Sequence, residues 1–157
     1  MDTNYQILPI GEEYLSEIMA IERSVFQNPW STSLMRDSLL SASCSVWGLF
    51  DQENLLKGFT VISMVLDEAE ILDISVDKSA QNQGYGQKLL AFVMSYLAQQ
   101  GVEKIFLEVQ TSNEAALAMY RKFNFSIIST RKNYYQLANG QFEDAYVLQG
   151  NIDEIPT

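Results

Sequence analysis

The segment ILDISVDKSAQNQGYG, residues 71–86, decides the fold prediction for this chain. Its apolar first part, residues 71–76, predicts a strand, and its polar remainder ends in Gly84-Tyr85-Gly86. Apolar residues then recur every three or four positions, which predicts a helix buried on one face: Leu89, Leu90, Val93, Tyr96 and Leu97. A strand, a glycine loop and a helix start can bind phosphate, because the first helical turn offers unpaired backbone N–H groups and the positive end of the dipole.

The glycine loop alone does not identify its ligand. Gly84 and Gly86 lack a Cβ atom, so the backbone there can approach a pyrophosphate closely, but a tight strand-to-helix turn uses the same residues. Lys88 is followed by Leu89, which excludes the Walker A phosphate loop, and no third glycine completes a dinucleotide-binding fingerprint. The ligand therefore has to be identified from other parts of the chain.

Length and composition predict one domain over residues 1–150, followed by a flexible tail at residues 151–157. The chain has 157 residues and is 47% hydrophobic, which is enough for a single core. We expect a cytoplasmic protein without membrane contact, since the N-terminus does not resemble a signal peptide and no apolar run approaches the roughly 18 residues of a membrane span. The single cysteine, Cys44, excludes an intrachain disulfide and a cysteine-cluster zinc site, and we expect no metal.

The chain contains no histidine, and this restricts its possible chemistry. A catalytic triad base, a histidine metal site and a histidine proton shuttle are excluded, so acid–base catalysis would fall to Glu, Asp, Tyr or Lys. The net charge of −10 and the pI near 4.3 argue against binding of bare nucleic acid. The negative charge suits a basic partner, although solubility alone also explains an acidic composition.

The remaining pattern predicts a mixed α/β fold. A first strand precedes two helices, an antiparallel meander of three strands leads into the glycine loop and its helix, and another strand, another helix and a closing hairpin follow. The predicted strands are residues 5–10, 44–50, 55–66, 70–76, 103–110, 126–136 and 142–148, with a turn at Asn139-Gly140 and a frayed tail from Gly150.

Several polar and aromatic residues are candidates for function. Glu108 interrupts an apolar strand, where a carboxylate must be paired, placed at an edge or held for chemistry. Asn113 and Tyr120 are seven positions apart on one helix face, about 10 Å along the axis. Taken alone, Asn113 is more simply a helix N-cap and Tyr120 a core aromatic. Trp30, at the break between the first two helices, fits a core position better than a ligand contact.

Four separated motifs and the order of elements resemble the Gcn5-related N-acetyltransferase superfamily. Its Gln/Arg-x-x-Gly-x-Gly/Ala signature is met by Gln81, Gly84 and Gly86. Further motifs resemble its RimI-type branch, the ribosomal-protein-alanine acetyltransferases: Pro29-Trp30-Ser31, Leu66-Asp67-Glu68-Ala69, Leu107-Glu108-Val109 with Ser112-Asn113, and Arg131 with Asn133-Tyr134-Tyr135.

The resemblance implies a fold and a cosubstrate site. The fold is a mostly antiparallel mixed sheet, splayed between strands 4 and 5 and flanked by about four helices, with acetyl-CoA in the gap. The implied CoA contacts are the backbone of Ile74, Ser75 and Val76 for the acetyl and pantetheine arm, Asn82, Gln83, Gly84, Tyr85, Gly86 and Gln87 for the pyrophosphate, and Asn113. Relatives often carry Pro, an aromatic residue and Arg where this chain has Lys78, Ala80 and Asn82, which predicts looser CoA binding.

The resemblance also implies a reaction. Glu108 corresponds to the general base and Tyr120 to the general acid, while Trp30 and Tyr134 lie near the acceptor. The expected reaction is acetyl transfer to the N-terminal alanine of a small-subunit ribosomal protein, whose basic N-terminus suits the acidic chain. Two alternatives are another acceptor, such as a protein lysine or a small polyamine, and a CoA-binding sensor without turnover. The presence of Glu108 and Tyr120 argues against the sensor.

Overall fold

The structure is a computed structural model that describes residues 4–152, and this part of the chain forms seven strands and four α-helices. In chain order the elements are β1 (Tyr5–Pro9), α1 (Leu15–Val25), α2 (Thr32–Leu40), β2 (Cys44–Asp51), β3 (Leu56–Val65), β4 (Glu68–Val76), α3 (Tyr85–Gln99), β5 (Lys104–Gln110), α4 (Glu114–Lys122), β6 (Ser126–Gln136) and β7 (Phe142–Asn151).

All seven strands belong to one sheet with the order β1-β2-β3-β4-β5-β7-β6. Only the β4–β5 pair is parallel, and the other neighbours pair antiparallel. The strand β7 lies between β5 and β6, so the last strand of residues 4–152 is an interior one. This arrangement confirms the predicted mixed, mostly antiparallel sheet and its four helices.

Several predicted strand ends were wrong by one to three residues, and the two largest differences are at the start of β4 and the end of β7. Glu68 was predicted to lie in a turn, but it is the first residue of β4 and pairs with Val65. The turn consists of Leu66, which has a φ of 58°, and Asp67. The frayed tail was expected from Gly150, but β7 continues through Asn151 and both residues pair with β5. Backbone hydrogen bonding extends even further, as the Ile152 N–H donates to the Glu103 carbonyl at 3.0 Å. The rest of the predicted tail, residues 153–157, lies outside the described residues.

Helices cover both faces of the sheet. One face carries α3 and α4, whose apolar side chains pack with β5 around Leu90, Leu97 and Ile105. The other carries α1 and α2, which bury Ile18 and Met35 against β2 and β3. Because both faces are covered, a ligand can enter the sheet only where neighbouring strands separate. Over residues 4–152 no helix is long and apolar enough to cross a membrane.

Candidate functional site

The parallel strands β4 and β5 separate after four paired positions, the last of which is Ile71 opposite Leu107. Beyond this point β4 continues to Val76 and stays paired with β3, with a register shift at Leu72. The edge of β4 that faces β5 has no strand partner there within the described part of the chain. A cavity of about 380 Å³, here called the splay cavity, occupies the space between the two strands. The predicted splay between strands 4 and 5 is therefore present.

Glu108 lies on β5 one residue beyond the last β4–β5 pair and lines the splay cavity. Its Oε1 accepts a hydrogen bond from the Tyr134 hydroxyl at 3.3 Å. Its Oε2 lies 3.2 Å from the Arg131 Nε, an ion pair that lacks the alignment of a hydrogen bond. This carboxylate is thus positioned by two side chains of β6, and it faces a space large enough for a ligand.

Tyr120 lines the same cavity from α4, where it is buried and packs edge-on against Phe125. Burial, followed by the proximity of Asp73 and Tyr135, raises the pKa of Tyr120 far above its usual value. The phenol therefore keeps its proton at neutral pH and can donate it. A carboxylate and a protonated phenol in one cavity are the two groups that proton transfer to and from a reacting substrate requires.

The three predicted residues of β4 differ in their surroundings. Ile74 lines the splay cavity, whereas Ser75 and Val76 follow it toward the glycine loop and pair with Phe59 and Gly58 of β3. Since β3 occupies one edge of β4, backbone groups on the other edge face the gap. These groups could bind an extended ligand that runs alongside the strand.

The glycine loop turns through two residues of positive φ. Asn82 and Gly84 both have positive φ, at 64° and 82°, and Gly84 is the N-cap of α3. A Cβ atom on Gly84 would meet no atom within 4 Å, so the space in front of this residue is open. The Tyr85 side chain is buried in the core, which leaves only its backbone for a ligand. The start of α3 therefore presents N–H groups and a dipole end to open space.

Lys88 was not among the predicted site residues, although it lies one turn into α3. It lines a second cavity, of about 860 Å³, together with the predicted loop residues Gln83, Gly84 and Gln87. Its Nζ lies 5.0 Å from the centre of the Tyr5 ring. The loop thus has a cation beside it despite the missing arginine. The sequence signal was the basic residue two positions after Gly86.

Asn113 is the N-cap of α4, and its Oδ1 accepts a hydrogen bond from the Ala116 N–H at 3.2 Å. It also lines the splay cavity. Both readings of this residue are therefore compatible with the structure: the side chain caps the helix, and the same residue borders the space that a ligand would fill.

The two residues predicted to lie near the acceptor belong to different segments, Trp30 to the connection between α1 and α2 and Tyr134 to β6. Trp30 lines the splay cavity and packs against the core cluster that contains Ile18 and Met35. Its backbone N–H donates a hydrogen bond to Glu22. Tyr134 is 46% exposed and reaches the cavity only through its hydrogen bond to Glu108. The neighbouring Tyr135, which was not predicted as a site residue, lines the cavity itself.

Two carboxyl groups in the splay cavity were also missed. Glu22 of α1 and Asp73 of β4 are 1% and 7% exposed, and both line the cavity. Burial, followed by hydrogen bonding to Glu22, holds the pKa of Asp73 well above its usual range. A sequence signal existed for Glu22, because it falls on the apolar stripe of α1.

A further cavity of about 290 Å³ adjoins Glu108. Its carboxylates, Glu68, Glu70 and Glu108, are called the acidic groove below, and Arg131 is the cation beside them. Burial and the proximity of Glu108 raise the pKa of Glu70. This surface therefore carries more negative than positive groups. Over residues 4–152, no three His, Cys, Asp or Glu side chains are grouped so as to hold a metal ion.

Comparisons with known proteins identify the family. The sequence profile of the Acetyltransferase (GNAT) family matches residues 15–125. The [ribosomal protein bS18]-alanine N-acetyltransferase of Haemophilus ducreyi is 30% identical over 139 residues, which cover 88% of this chain and 94% of the relative. The protein of the same name in Haemophilus influenzae is 31% identical over 128 residues, or 82% of this chain and 86% of the relative.

Solved structures agree with the sequence relatives. The ribosomal-protein-S18-alanine N-acetyltransferase from Escherichia coli superposes with a TM-score of 0.88 at 31% identity, covering 94% of both chains. NAA60 from Arabidopsis thaliana, in complex with acetyl-CoA, has a TM-score of 0.85 at 19% identity and covers 96% of this chain and 99% of that one, which shows the shared fold. The resemblance to Gcn5-related N-acetyltransferases and their RimI-type branch is confirmed. With a family match over most of its length and a sheet that opens between β4 and β5, this chain belongs to the GNAT family of acetyltransferases.

Proposed function

We propose that this protein transfers the acetyl group of acetyl-CoA to the α-amino group of an N-terminal alanine in a small-subunit ribosomal protein. The observation that carries this proposal is the placement of Glu108 and Tyr120 in one cavity at the point where β4 and β5 separate. The acceptor is taken from the names of the relatives, which specify the alanine of ribosomal protein bS18.

The residues around the gap fit acetyl-CoA. The unpaired edge of β4 would hold the extended acetyl and pantetheine arm, and the N-terminal turn of α3 would hold the pyrophosphate. Lys88 would add a positive charge beside the phosphates, which offsets the missing arginine. Acetyl-CoA would supply an acetyl group activated as a thioester and a sulfur leaving group.

Two residues of this chain would move the protons. An α-amino group is mostly protonated at neutral pH and cannot attack until it loses a proton, and the Glu108 carboxylate would accept it. The amine nitrogen then forms a bond to the acetyl carbon, the bond from that carbon to sulfur breaks, and the nitrogen releases its second proton to solvent, from which Tyr120 regains a proton after it has protonated the sulfur. Tyr120, which lines the same cavity, would donate its phenolic proton to the departing sulfur. The Val76 N–H is a candidate for polarising the thioester carbonyl.

The acidic groove supports a basic acceptor. It adjoins Glu108, so residues that follow the acceptor's first position would pass close to Glu68 and Glu70. The net charge of −10 would attract such a chain from a distance. These features favour a cationic acceptor over a neutral one, and we infer that the reaction takes place in the cytoplasm.

Acetyl transfer to matched peptides tests the proposal. We expect a peptide that begins with Ala and continues with Arg and Lys to gain one acetyl group on its α-nitrogen, located by fragmentation mass spectrometry. The matched control has the same sequence with a formyl-blocked N-terminus, and we expect no transfer to its lysines. The Tyr120→Phe variant should lose most of the activity. Transfer to the blocked peptide, or faster turnover of spermidine than of the Ala peptide, would contradict the proposed acceptor.

A further inference from the structure

Arg131 belongs to a sequence motif of this chain, Arg131 with Asn133-Tyr134-Tyr135, but the proposed reaction gives it no role. Its side chain is 58% exposed, yet its Nε lies 3.2 Å from Glu108 Oε2. The guanidinium also lies over the Tyr134 ring, with its central carbon 5.6 Å from the ring centroid. Tyr134 in turn donates its hydroxyl to Glu108 Oε1 at 3.3 Å. Each oxygen of the carboxylate therefore faces a different side chain of β6, and these two side chains contact each other.

Strand register places Arg131 and Glu108 on one face of the sheet. Glu108 pairs with Val147 of β7, and Arg131 pairs with Ala145, two positions away on the same strand. Paired residues share a face of a sheet, and so do residues two positions apart on a strand. The ion pair therefore follows directly from the pairing of β5, β7 and β6.

A bulge in β6 adds Tyr134 to the same carboxylate. In a regular strand Tyr134, three positions after Arg131, would point to the opposite face. The register with β7 shifts between Arg131 and Tyr135, however, and this segment contains the positive φ of Asn133. Bulges next to active sites often redirect a side chain, and here the Tyr134 hydroxyl reaches Glu108. Arg131 and Tyr134 thus hold the carboxylate between them.

Negative groups surround Glu108. The other carboxyl residues that line the splay cavity and the cavity of the acidic groove are Glu22, Glu68, Glu70, Asp73 and Glu143. Within the described residues, Arg131 is the only Lys or Arg that lines either cavity. The phenols of Tyr120, Tyr134 and Tyr135 carry no charge at neutral pH, because burial raises the pKa of each. Arg131 therefore opposes the repulsion that these carboxyl groups exert on an ionised Glu108.

Glu70 shows the competition between these charges. It lines the cavity of the acidic groove together with Glu108 and Arg131. Burial raises the pKa of Glu70, the nearby Glu108 raises it further, and the Arg131 guanidinium lowers it. One cation thus stabilises the negative forms of both carboxyl groups. Without this cation, Glu70 and Glu108 would share a proton over a wider range of pH, and Glu108 would be less able to accept one from an amine.

We propose that Arg131 is a positioning residue that keeps Glu108 ionised and directed at the splay cavity by offsetting the charge of Glu70. The inference rests on the proposed function, in which Glu108 is the general base. It goes beyond that function because it assigns the charge state of the base to a residue outside the splay cavity.

A double-mutant cycle tests this role. The variants are Arg131→Gln, Glu70→Gln and the two combined, and kcat is measured with saturating acetyl-CoA and Ala-Arg-Arg peptide between about pH 5 and pH 9. The peptide amine titrates alike in all four proteins, so a difference in the acid-side midpoint of the profile comes from the protein. Arg131→Gln should raise this midpoint by roughly 0.5 pH unit, the size expected when one partner of an ion pair is exposed.

The other variants separate charge from shape. Glu70→Gln should lower the midpoint, and the combined variant should return close to the parental value because both opposing charges are gone. Arg131→Lys keeps the positive charge and should keep the parental midpoint. The matched control is Arg36→Gln, which breaks another arginine–glutamate pair, Arg36 with Glu12 at 3.3 Å, whose residues line neither cavity. Its profile should equal that of the parent. Circular dichroism and calorimetric binding of acetyl-CoA check that each variant is folded.

Compensation by Glu70→Gln distinguishes this role from a structural one. If Arg131 only supported β6, removing a carboxylate from β4 would not restore the profile. An unshifted midpoint in Arg131→Gln, or a shift that persists in the combined variant, would overturn the proposal while acetyl transfer by the parent stands. A parent that acetylates no peptide N-terminus would overturn the proposed function, and the role of Arg131 in it would fall as well.

Discussion

Replacing Gly84 with alanine separates the stability of the loop from its binding of acetyl-CoA. In the free protein the new Cβ would meet nothing within 4 Å, so the loss of folding stability comes only from holding an alanine at a φ of +82°. A left-handed conformation costs an L-residue about 1–2 kcal/mol, which lowers Tm by about 2–8 °C in a protein of this size. The same Cβ would occupy the open space where the backbone is proposed to meet the pyrophosphate.

Gly101 supplies a matched control at the opposite end of α3. Its φ is +80° and its Cβ would also meet nothing within 4 Å. Gly101→Ala should therefore lose as much stability as Gly84→Ala through the same backbone strain. Any further difference between the two variants in the presence of acetyl-CoA reports on the ligand.

The expected difference follows from linkage. At 100 times its dissociation constant, acetyl-CoA stabilises the parent by about 2.7 kcal/mol, which raises Tm by about 5–11 °C. A tenfold loss of affinity in Gly84→Ala would reduce this to about 1.4 kcal/mol at the same concentration, so the shift would fall by half. Differential scanning fluorimetry with and without acetyl-CoA measures both quantities for all three proteins.

Equal ligand-induced shifts for Gly84→Ala, Gly101→Ala and the parent would refute the reasoning. Such a result would mean that the loop at the start of α3 does not hold the pyrophosphate. A loss of the shift in both variants would point instead to a general effect on α3.

Further predictions concern chemistry, stability and charge. Tyr120→Phe and Glu108→Gln should each lower kcat by roughly 10²- to 10⁴-fold. The activity of Glu108→Gln should recover partly as pH rises, because more of the acceptor amine is then neutral. A small effect that does not change with pH would show that Glu108 has a structural role instead. The raised pKa of Asp73 means that the native protein keeps a proton which the unfolded chain loses, so parental stability should fall as pH rises through the native pKa. Urea unfolding from pH 4 to 8 should show that Asp73→Asn lacks this fall, and identical profiles would contradict it. An Ala peptide followed by Arg should have a higher kcat/KM than a neutral one at about 0.1 M salt, with the advantage shrinking at 1 M and in Glu70→Gln; equal rates at low salt would exclude steering by charge.

The central part of the fold was predictable because its signals are local. The strand before the glycine loop and the helix after it both follow from residues within one short segment. Glu108 stood out because a carboxylate interrupts an apolar strand. The separation of β4 and β5, in contrast, was expected only through the family resemblance, since no local pattern tells where two paired strands diverge.

Contacts between distant segments account for what was missed. Glu22 and Asp73 come together only when α1 packs on β4. Glu22 shares the buried face of α1 with Ile18, so its carboxylate could have been identified as a candidate for function by the argument used for Glu108. Tyr135 was missed for another reason. The alternation of β6 is interrupted at Asn133, whose φ is +53°, and the register shifts before Tyr135, so the sequence could not tell which of two adjacent tyrosines faces the cavity.

The interior position of β7 has a consequence for synthesis on the ribosome. The strand β5 is translated well before β7, and its edge opposite β4 can be covered only when residues through Asn151 have emerged from the exit tunnel. Until then the nascent chain exposes the edges of both β5 and β6, which are templates for pairing with other chains. The strand β6, which carries Arg131, Tyr134 and Tyr135, also gains its pairing partner only when β7 emerges. We therefore expect the sheet around Glu108 to be complete only after β7 has emerged.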